Sequence, residues 1–413
     1  MLPEALTVIP EQRVERLPFR VAWLCSAALF LEGYDIVAVG YAIPSLVDAW
    51  QVRPQVFTAA LTCGNVGLLL GSLSAGLLGD RLGRKPVLIG CVTVFGIFSL
   101  LSALVGSPVQ LAGLQFLTGL GLGGGIPLAT TLALDFAPPT RRGRFLILIC
   151  TGVAIGFAVG GLLASQLVRV FGWPAIFVVG GVLPLAMTVV LALWLPESVA
   201  PRAATQPHHA VAALFESGLA LRTVLLWPIN VLNLLGIYFI LQWTPAILHS
   251  AGMSPSRAIL GTSMYSLGVI TCSLLTASIV DRMGMERVLT CGLALGALCV
   301  LSIGLFHPRL FWVLSLIIFG AGIGGGCQGG IIALSSLMYP PAIRSTGAGW
   351  ALGAGRIGTI AGPLLGGVLL ALGIRAQDIF LAASIPAFGV TVLMAILGRL
   401  RQRTSSTLVE FHR

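Results

Sequence analysis

Long apolar runs, separated by short charged punctuation, dominate this chain. They cover Phe19 to Pro44, Val56 to Gly79, Pro86 to Leu134, Phe145 to Val168, Trp173 to Leu195 and Thr223 to Leu248, and then Ala258 to Val280, Val288 to Phe306, Leu310 to Met338, Ser345 to Leu372 and Ile379 to Leu397. The uncharged run from Pro86 to Leu134 has room for two spans, broken at Ser107-Pro108. Each span is near the ~20 residues a helix needs to cross ~30 Å of hydrocarbon. None shows the two-residue alternation of an outer-membrane barrel, so the pattern predicts twelve membrane helices. A more polar stretch with Pro201, Pro207, His208 and His209 separates the first six from the second six. The reading is a tail over 1–18, a six-helix bundle over 19–195, a linker over 196–222, a second bundle over 223–397 and a tail over 398–413.

Composition agrees with the pattern. Of 413 residues, 57% are hydrophobic and only 9% are charged, against about 25% charged in soluble domains. So little polar surface cannot cover a water-facing globule, which leaves an all-α integral membrane protein. The net charge of +10 is spread as punctuation between runs instead of forming one stripe, which argues against a nucleic-acid partner. With the amino terminus inside, eighteen basic residues fall in inside loops and tails. Five fall outside: Arg53, Arg169, Arg257, Arg309 and Arg375. Arg356 alone remains within a span. The positive-inside rule therefore places both termini in the cytoplasm. The eight cysteines show no metal-ligand or disulfide spacing, and the five histidines fall in loops, span ends or the tail. No metal, cofactor or enzymatic site is expected, and a monomer surrounded by lipid is.

The two halves resemble each other. Asp80-Arg81-Leu82-Gly83 returns as Asp281-Arg282-Met283-Gly284, and the glycine run Gly119 to Gly125 returns as Gly320 to Gly326, both at an offset of 201. Pro138-Pro139 and Arg142 return as Pro340-Pro341 and Arg344 at 202. An in-phase six-helix repeat is the parallel-repeat design of transporters that rock two bundles about a central site. The glycine runs match the dinucleotide fingerprint literally, but neither follows a strand, and close helix packing explains them better.

The sharpest chemical feature is Glu32-Gly33-Tyr34-Asp35 in the first span. Glu32 lies twelve residues beyond Arg20, about 18 Å along a helix and so near mid-membrane. A spacing of three puts both carboxylates on one helix face. A charge at that depth costs about 2.5–3.5 kcal/mol even on lenient scales, so the pair should face a polar cavity and exchange protons. Arg356, twelve residues beyond Arg344, sits at matching depth and offers the bidentate fork that suits a carboxylate. The inside loop with Gly76, Asp80, Arg81, Gly83, Arg84 and Lys85 reads as a conformational latch, with Asp135 a partner for Arg84 and Asp281 and Arg282 its second copy. Tyr34, Asn65, Gln115, Trp243, Gln328 and Trp350 are candidate cavity-lining residues, together with Asn233, Gln242 and Tyr265.

From Phe19 to Leu397 the chain resembles the major facilitator superfamily, whose second-to-third-helix motif the Asp80 loop matches. Within it, Glu32-Gly-Tyr-Asp35, Phe116-Leu-Thr-Gly-Leu-Gly-Leu-Gly-Gly, Trp243-Thr-Pro245 and Gly349 to Gly358 look like the aromatic acid:proton symporter family. The resemblance implies inward carriage of an aromatic carboxylate with protons, through Glu32, Asp35 and Arg356. Two departures stand out: Glu32 where many members have Asp, a variant closer to the phenylpropionate-type branch, and Gln115 where many have Arg. The expected function is proton-coupled uptake of a small organic anion. Efflux, or carriage of another organic anion or a sugar-like solute, is the alternative, since Leu195-Pro-Glu-Ser198 is similar to a sugar-porter tetrapeptide. The orientation is checked by fusions: a fluorescent protein that folds only in the cytoplasm should shine at either terminus, and alkaline phosphatase at either terminus should be inactive.

Overall fold

The computed structural model describes residues 11–137, 142–197, 212–215, 219–306, 310–340 and 343–411, with Arg142, Asp281 and Arg344 among those of which only the backbone is described. The far amino-terminal tail and most of the linker, including His208 and His209, lie outside the described residues. The described part is helical throughout its spans, with no strand among the described residues. The first half comprises α1 (Glu11–Trp50), α2 (Thr58–Leu82), α3 (Arg84–Ser102), α4 (Pro108–Phe136), α5 (Arg142–Phe171) and α6 (Pro174–Trp194). The second comprises α7 (Ala220–Ser250), α8 (Pro255–Met283), α9 (Met285–Phe306), α10 (Phe311–Gly326), α11 (Gln328–Leu337), α12 (Arg344–Ala371) and α13 (Ala376–Phe411).

Among the described residues, twelve stretches are long and apolar enough to cross a membrane. The tenth departs from the single rod expected over Leu310 to Met338. It is two helices meeting at Cys327, just after the glycines that end α10. Glycine costs a helix interior about 1 kcal/mol relative to Ala, and a cluster of them makes a ready break point. At the chain ends, helix outlasts hydropathy: α1 starts at Glu11 and α13 runs to Phe411. Hydropathy reports where the bilayer is, and a helix can continue beyond it into water.

Glycines set how closely the helices approach. The run in α4 lies against α2, and a Cβ on Gly119 would collide with the backbone carbonyl of Gly64. The repeated run behaves likewise in the second half, where Gly322 meets the carbonyl of Tyr265. These contacts are the close helix packing that small residues permit in lipid.

The two halves are joined toward one end of the molecule, the end that carries Asp48. There His249 Nε2 of α7 lies 2.9 Å from Asp48 Oδ1 of α1. Ser256 Oγ of α8 donates to the Ser165 carbonyl of α5 at 2.8 Å. Gly40 of α1 lets the backbone of Gln242 come so near that an added Cβ would sit 2.8 Å from its Cα. At the opposite end, which carries Asp80, the charge pairs run within a half: Arg84 with Asp135, and Arg401 with Glu286.

The glycine account makes a paired prediction. Gly119→Val should destabilise the protein by roughly 1–3 kcal/mol through overpacking. Gly113→Ala, on the same helix with nothing within 4 Å of its added Cβ, should not. Thermal unfolding in detergent checks both.

Candidate functional site

Glu32 and Asp35 sit near the middle of α1, both buried, at 2% and 3% exposure. Their surroundings are built for carboxylates without neutralising them. Glu32 lies over Gly125 of α4, where any Cβ would occupy the space of its Oε2. Asp35 Oδ1 accepts a 2.6 Å hydrogen bond from Ser99 Oγ of α3. A Cβ on Gly180 of α6 would sit 2.7 Å from the same Asp35 oxygen. Glu32 Oε2 and Asp35 Oδ2 are left buried with no hydrogen-bond partner. A buried oxygen in that state carries a desolvation penalty that a proton, a water or a ligand would relieve.

Arg356 of α12 comes from the other half of the molecule and is half-buried. Its guanidinium is an electrostatic neighbour of Glu32 and of Tyr238 on α7. Among the described residues it forms no ion pair. One of the two buried acids of the first half thus has a cation of the second half as its electrostatic neighbour.

Polar side chains continue the lining. Asp35, Asn65, Gln115 and Gln242 border one cavity of about 20 Å³, which has room for a single water and none for an organic acid. Asn65 Nδ2 of α2 donates to Gln242 Oε1 of α7 at 3.2 Å, so an amide pair joins the halves at this cavity. Gln115 Nε2 donates to Ser102 Oγ at 3.3 Å, a neutral contact where an arginine would have placed a positive charge. In the second half, Asn233 Nδ2 donates to Gln328 Oε1 at 2.7 Å, and Gln328 Nε2 to Asn230 Oδ1 at 3.4 Å. That network ties α7 to α11 just past the break at Cys327.

Three expected lining residues stand elsewhere. Tyr34 is buried, and its hydroxyl donates to the Ile176 carbonyl of α6 at 2.9 Å. Trp243 is wholly buried against Gly366 and donates from Nε1 to the Pro363 carbonyl at 2.9 Å, fastening α7 to α12. Trp350 is 47% exposed and stacks on Trp227 with ring centroids 5.8 Å apart. Each aromatic ring found a packing or stacking partner before it could face the cavity. The sequence reading missed Tyr238, Ser99 and Gly180. Tyr238 and Gln242 are four apart on α7, one turn of one face, and that spacing was the available signal.

The Asp80 loop is anchored mainly within its own half. Gly83 ends α2 with φ +99°, a conformation that favours glycine, and Gly284 repeats it at φ +83°. Arg84 pairs with Asp135. Lys85 Nζ donates to the Ala192 carbonyl at 3.0 Å, and its backbone N–H to Glu197 Oε1 at 3.3 Å. Gly76 faces open space, and Asp80, Arg81 and Arg282 are exposed. Among the described residues Asp80 and Arg81 form no ion pair. The side chain of Asp281 lies outside the described residues. Glu286 and Arg401 supply the second half's own pair, unforeseen because their separation of 115 residues leaves no local pattern.

Known proteins match this arrangement along nearly the whole chain. The model of the Major Facilitator Superfamily matches residues 25–254 and 226–413. The gallate transporter of Pseudomonas putida is 33% identical, over 92% of this chain and 92% of its own length. The 3-(3-hydroxy-phenyl)propionate transporter of Escherichia coli is 33% identical, over 95% and 96%. The 4-hydroxybenzoate transporter PcaK of Pseudomonas putida is 31% identical, over 94% of both. Among solved structures, a D-xylose-proton symporter superposes with a TM-score of 0.72 at 18% identity, covering 92% of this chain and 97% of that one. The nucleoside transporter NupG superposes with a TM-score of 0.74 at 16% identity, covering 92% and 99%. The chain therefore belongs to the Major Facilitator Superfamily of membrane transporters, and resembles most clearly its aromatic acid:proton symporters.

Proposed function

We propose that this protein imports a small organic anion, an aromatic carboxylate, together with protons across the bacterial inner membrane by alternating access. One observation carries the reading. Two buried carboxylates on α1 each have an oxygen without a partner among the described residues, and the electrostatic neighbour of Glu32 is an arginine of the opposite half with no ion-pair partner among the described residues. The names of its relatives supply the substrate class: gallate, 4-hydroxybenzoate and 3-(3-hydroxy-phenyl)propionate all join an aromatic ring to a carboxylate.

In this reading the bundles over 19–195 and 223–397 are the two rocking bodies, joined by a cytoplasmic linker over 196–222, and both tails are cytoplasmic. The Asp48 end is then the outer face, and His249–Asp48 with Ser256–Ser165 keep it shut. Substrate and proton enter when those contacts part. Arg356 takes the carboxylate through its fork, aided by Tyr238, while Glu32 or Asp35 takes a proton and loses its charge. Asn65, Gln115, Gln242 and Gln328 supply neutral polar contacts to the rest of the solute. Neutral acids let the bundles repack about a loaded site, and proton release to the cytoplasm restores the charges that eject the anion. The Asp80 loop acts as a latch on the inner face, with Asp80 and Arg81 exposed while the outer face is closed. A single chain holds the complete site, so the working unit is a monomer in lipid.

Two tests follow. Arg356→Ala should weaken binding of the transported acid by roughly tenfold or more, and Arg356→Lys less, as read by equilibrium dialysis. Full affinity in Arg356→Ala would remove it from the site. Glu32→Gln and Asp35→Asn proteoliposomes should lose accumulation driven by a pH gradient yet keep substrate counterflow. Accumulation at the wild-type level in both would sink the proton role. Gly125→Ala, which crowds Glu32, should lose accumulation at normal expression.

A further inference from the structure

The charge count left five basic residues on the Asp48 face, against the general bias. Arg375 is accounted for by Asp378, with Nε 2.9 Å from Oδ2. Arg309 lies outside the described residues, and Arg53, just before the turn Pro54–Phe57, does not line the cleft described next. Arg169 and Arg257 behave differently, because they converge. Arg169 is in the last turn of α5 in the first half, and Arg257 in the first turn of α8 in the second. Both line one cleft of about 780 Å³ between the halves, with Ser45, Asp48, Trp173 and Ser256.

Both arginines are exposed, and among the described residues neither forms an ion pair. Asp48, the one acid in that lining, is already engaged by His249. The Ser256–Ser165 hydrogen bond draws α8 onto α5 beside them, so two like charges from opposite halves share one cleft with a single acid that is also held by His249. An anion seated between them would be attracted by both. The cleft also has an aromatic wall. Trp173 packs edge-on between Trp50, at 5.8 Å, and Phe177, at 6.1 Å. Two guanidinium groups lining a cleft with an aromatic wall suit a carboxylate attached to a ring, and the volume falls in the usual range for small-molecule sites.

We propose that this cleft is a second binding site for an aromatic carboxylate, which seats its carboxylate between Arg169 and Arg257 and its ring against Trp173. The ligand class rests on the proposed function; the site itself rests on the geometry of the cleft. An anion held there bridges both halves and holds the Asp48 face closed. High substrate on that side should therefore slow the carrier's return and appear as inhibition of uptake by excess substrate.

The test is equilibrium dialysis of radiolabelled 4-hydroxybenzoate with purified protein in mixed micelles of detergent and phosphatidylcholine. Wild type should bind two molecules per chain, and R169Q/R257Q one. R169K/R257K keeps the charge without the fork and should bind the second molecule roughly tenfold more weakly. R356A should lose the central site and keep the outer one. If R356A keeps both while R169Q/R257Q loses one, the cleft stands and the central assignment falls. Two sites retained in R169Q/R257Q would overturn the proposal. So would complete displacement of the second molecule by phosphatidylglycerol, whose phosphate would mark the cleft as a lipid seat. Ligand-free R169Q/R257Q should melt no lower than wild type, since neither exposed arginine has an ion pair among the described residues to lose, and its uptake should no longer fall at high external substrate. A lower melting temperature with unchanged substrate inhibition would make the arginines structural.

Discussion

Two carboxylates one helical turn apart, buried at the depth where a membrane tolerates charge least, constrain everything around them. Each is given part of what a carboxylate needs. Ser99 satisfies one oxygen of Asp35, Gly125 and Gly180 clear space, and Arg356 stands near Glu32 from across the molecule. Neither is given all of it, because one oxygen on each stays without a partner. A packing interface does not call for such groups, since apolar residues of similar volume usually serve stability as well or better. The incomplete satisfaction makes sense when the missing partner is mobile, a proton or a solute that arrives and leaves.

The same logic explains the glycines. An acid can be buried beside α4 only because the helix there has no side chains, and the bundles can interlock tightly only because their contacts are backbone on backbone. In the proposed cycle such bundles move as bodies, which calls for bonds between them that are few and breakable. The structure has that character. An imidazole–carboxylate contact, a serine hydrogen bond and an amide pair join the halves, while the charge pairs at the Asp80 end stay within their own bundles. The contacts that join the halves at the Asp48 end are therefore of the kind that the proposed cycle would part and re-form.

Much of this was legible before any coordinates. Apolar run length is a physical requirement of the bilayer, so the spans could be counted, and the internal repeat announced two equivalent bundles. Glu32, Asp35 and Arg356 were visible because a charge in hydrocarbon is too costly to be incidental. What escaped was everything that depends on which way a neutral side chain points. Trp243 and Trp350 looked like lining residues, but one anchors α7 to Pro363 and the other stacks on Trp227. Tyr238 looked like any membrane tyrosine until α7 and α12 came together. Gly180 and Ser99 carry no signal of their own, and their importance comes only from Asp35 beside them. The arginines of the Asp48 face were counted as exceptions to a rule, and only the fold showed that two of them share a cleft.

The central claim is that the α1 acids carry protons in step with an anion held by Arg356. The most direct measurement records both fluxes at once, in proteoliposomes loaded with a pH dye and supplied with a labelled aromatic carboxylate at zero membrane potential. The account predicts that the lumen acidifies as the label enters, in a fixed ratio, with no proton entry when the acid is absent. Label entry at an undiminished rate with no accompanying change in lumenal pH would contradict it.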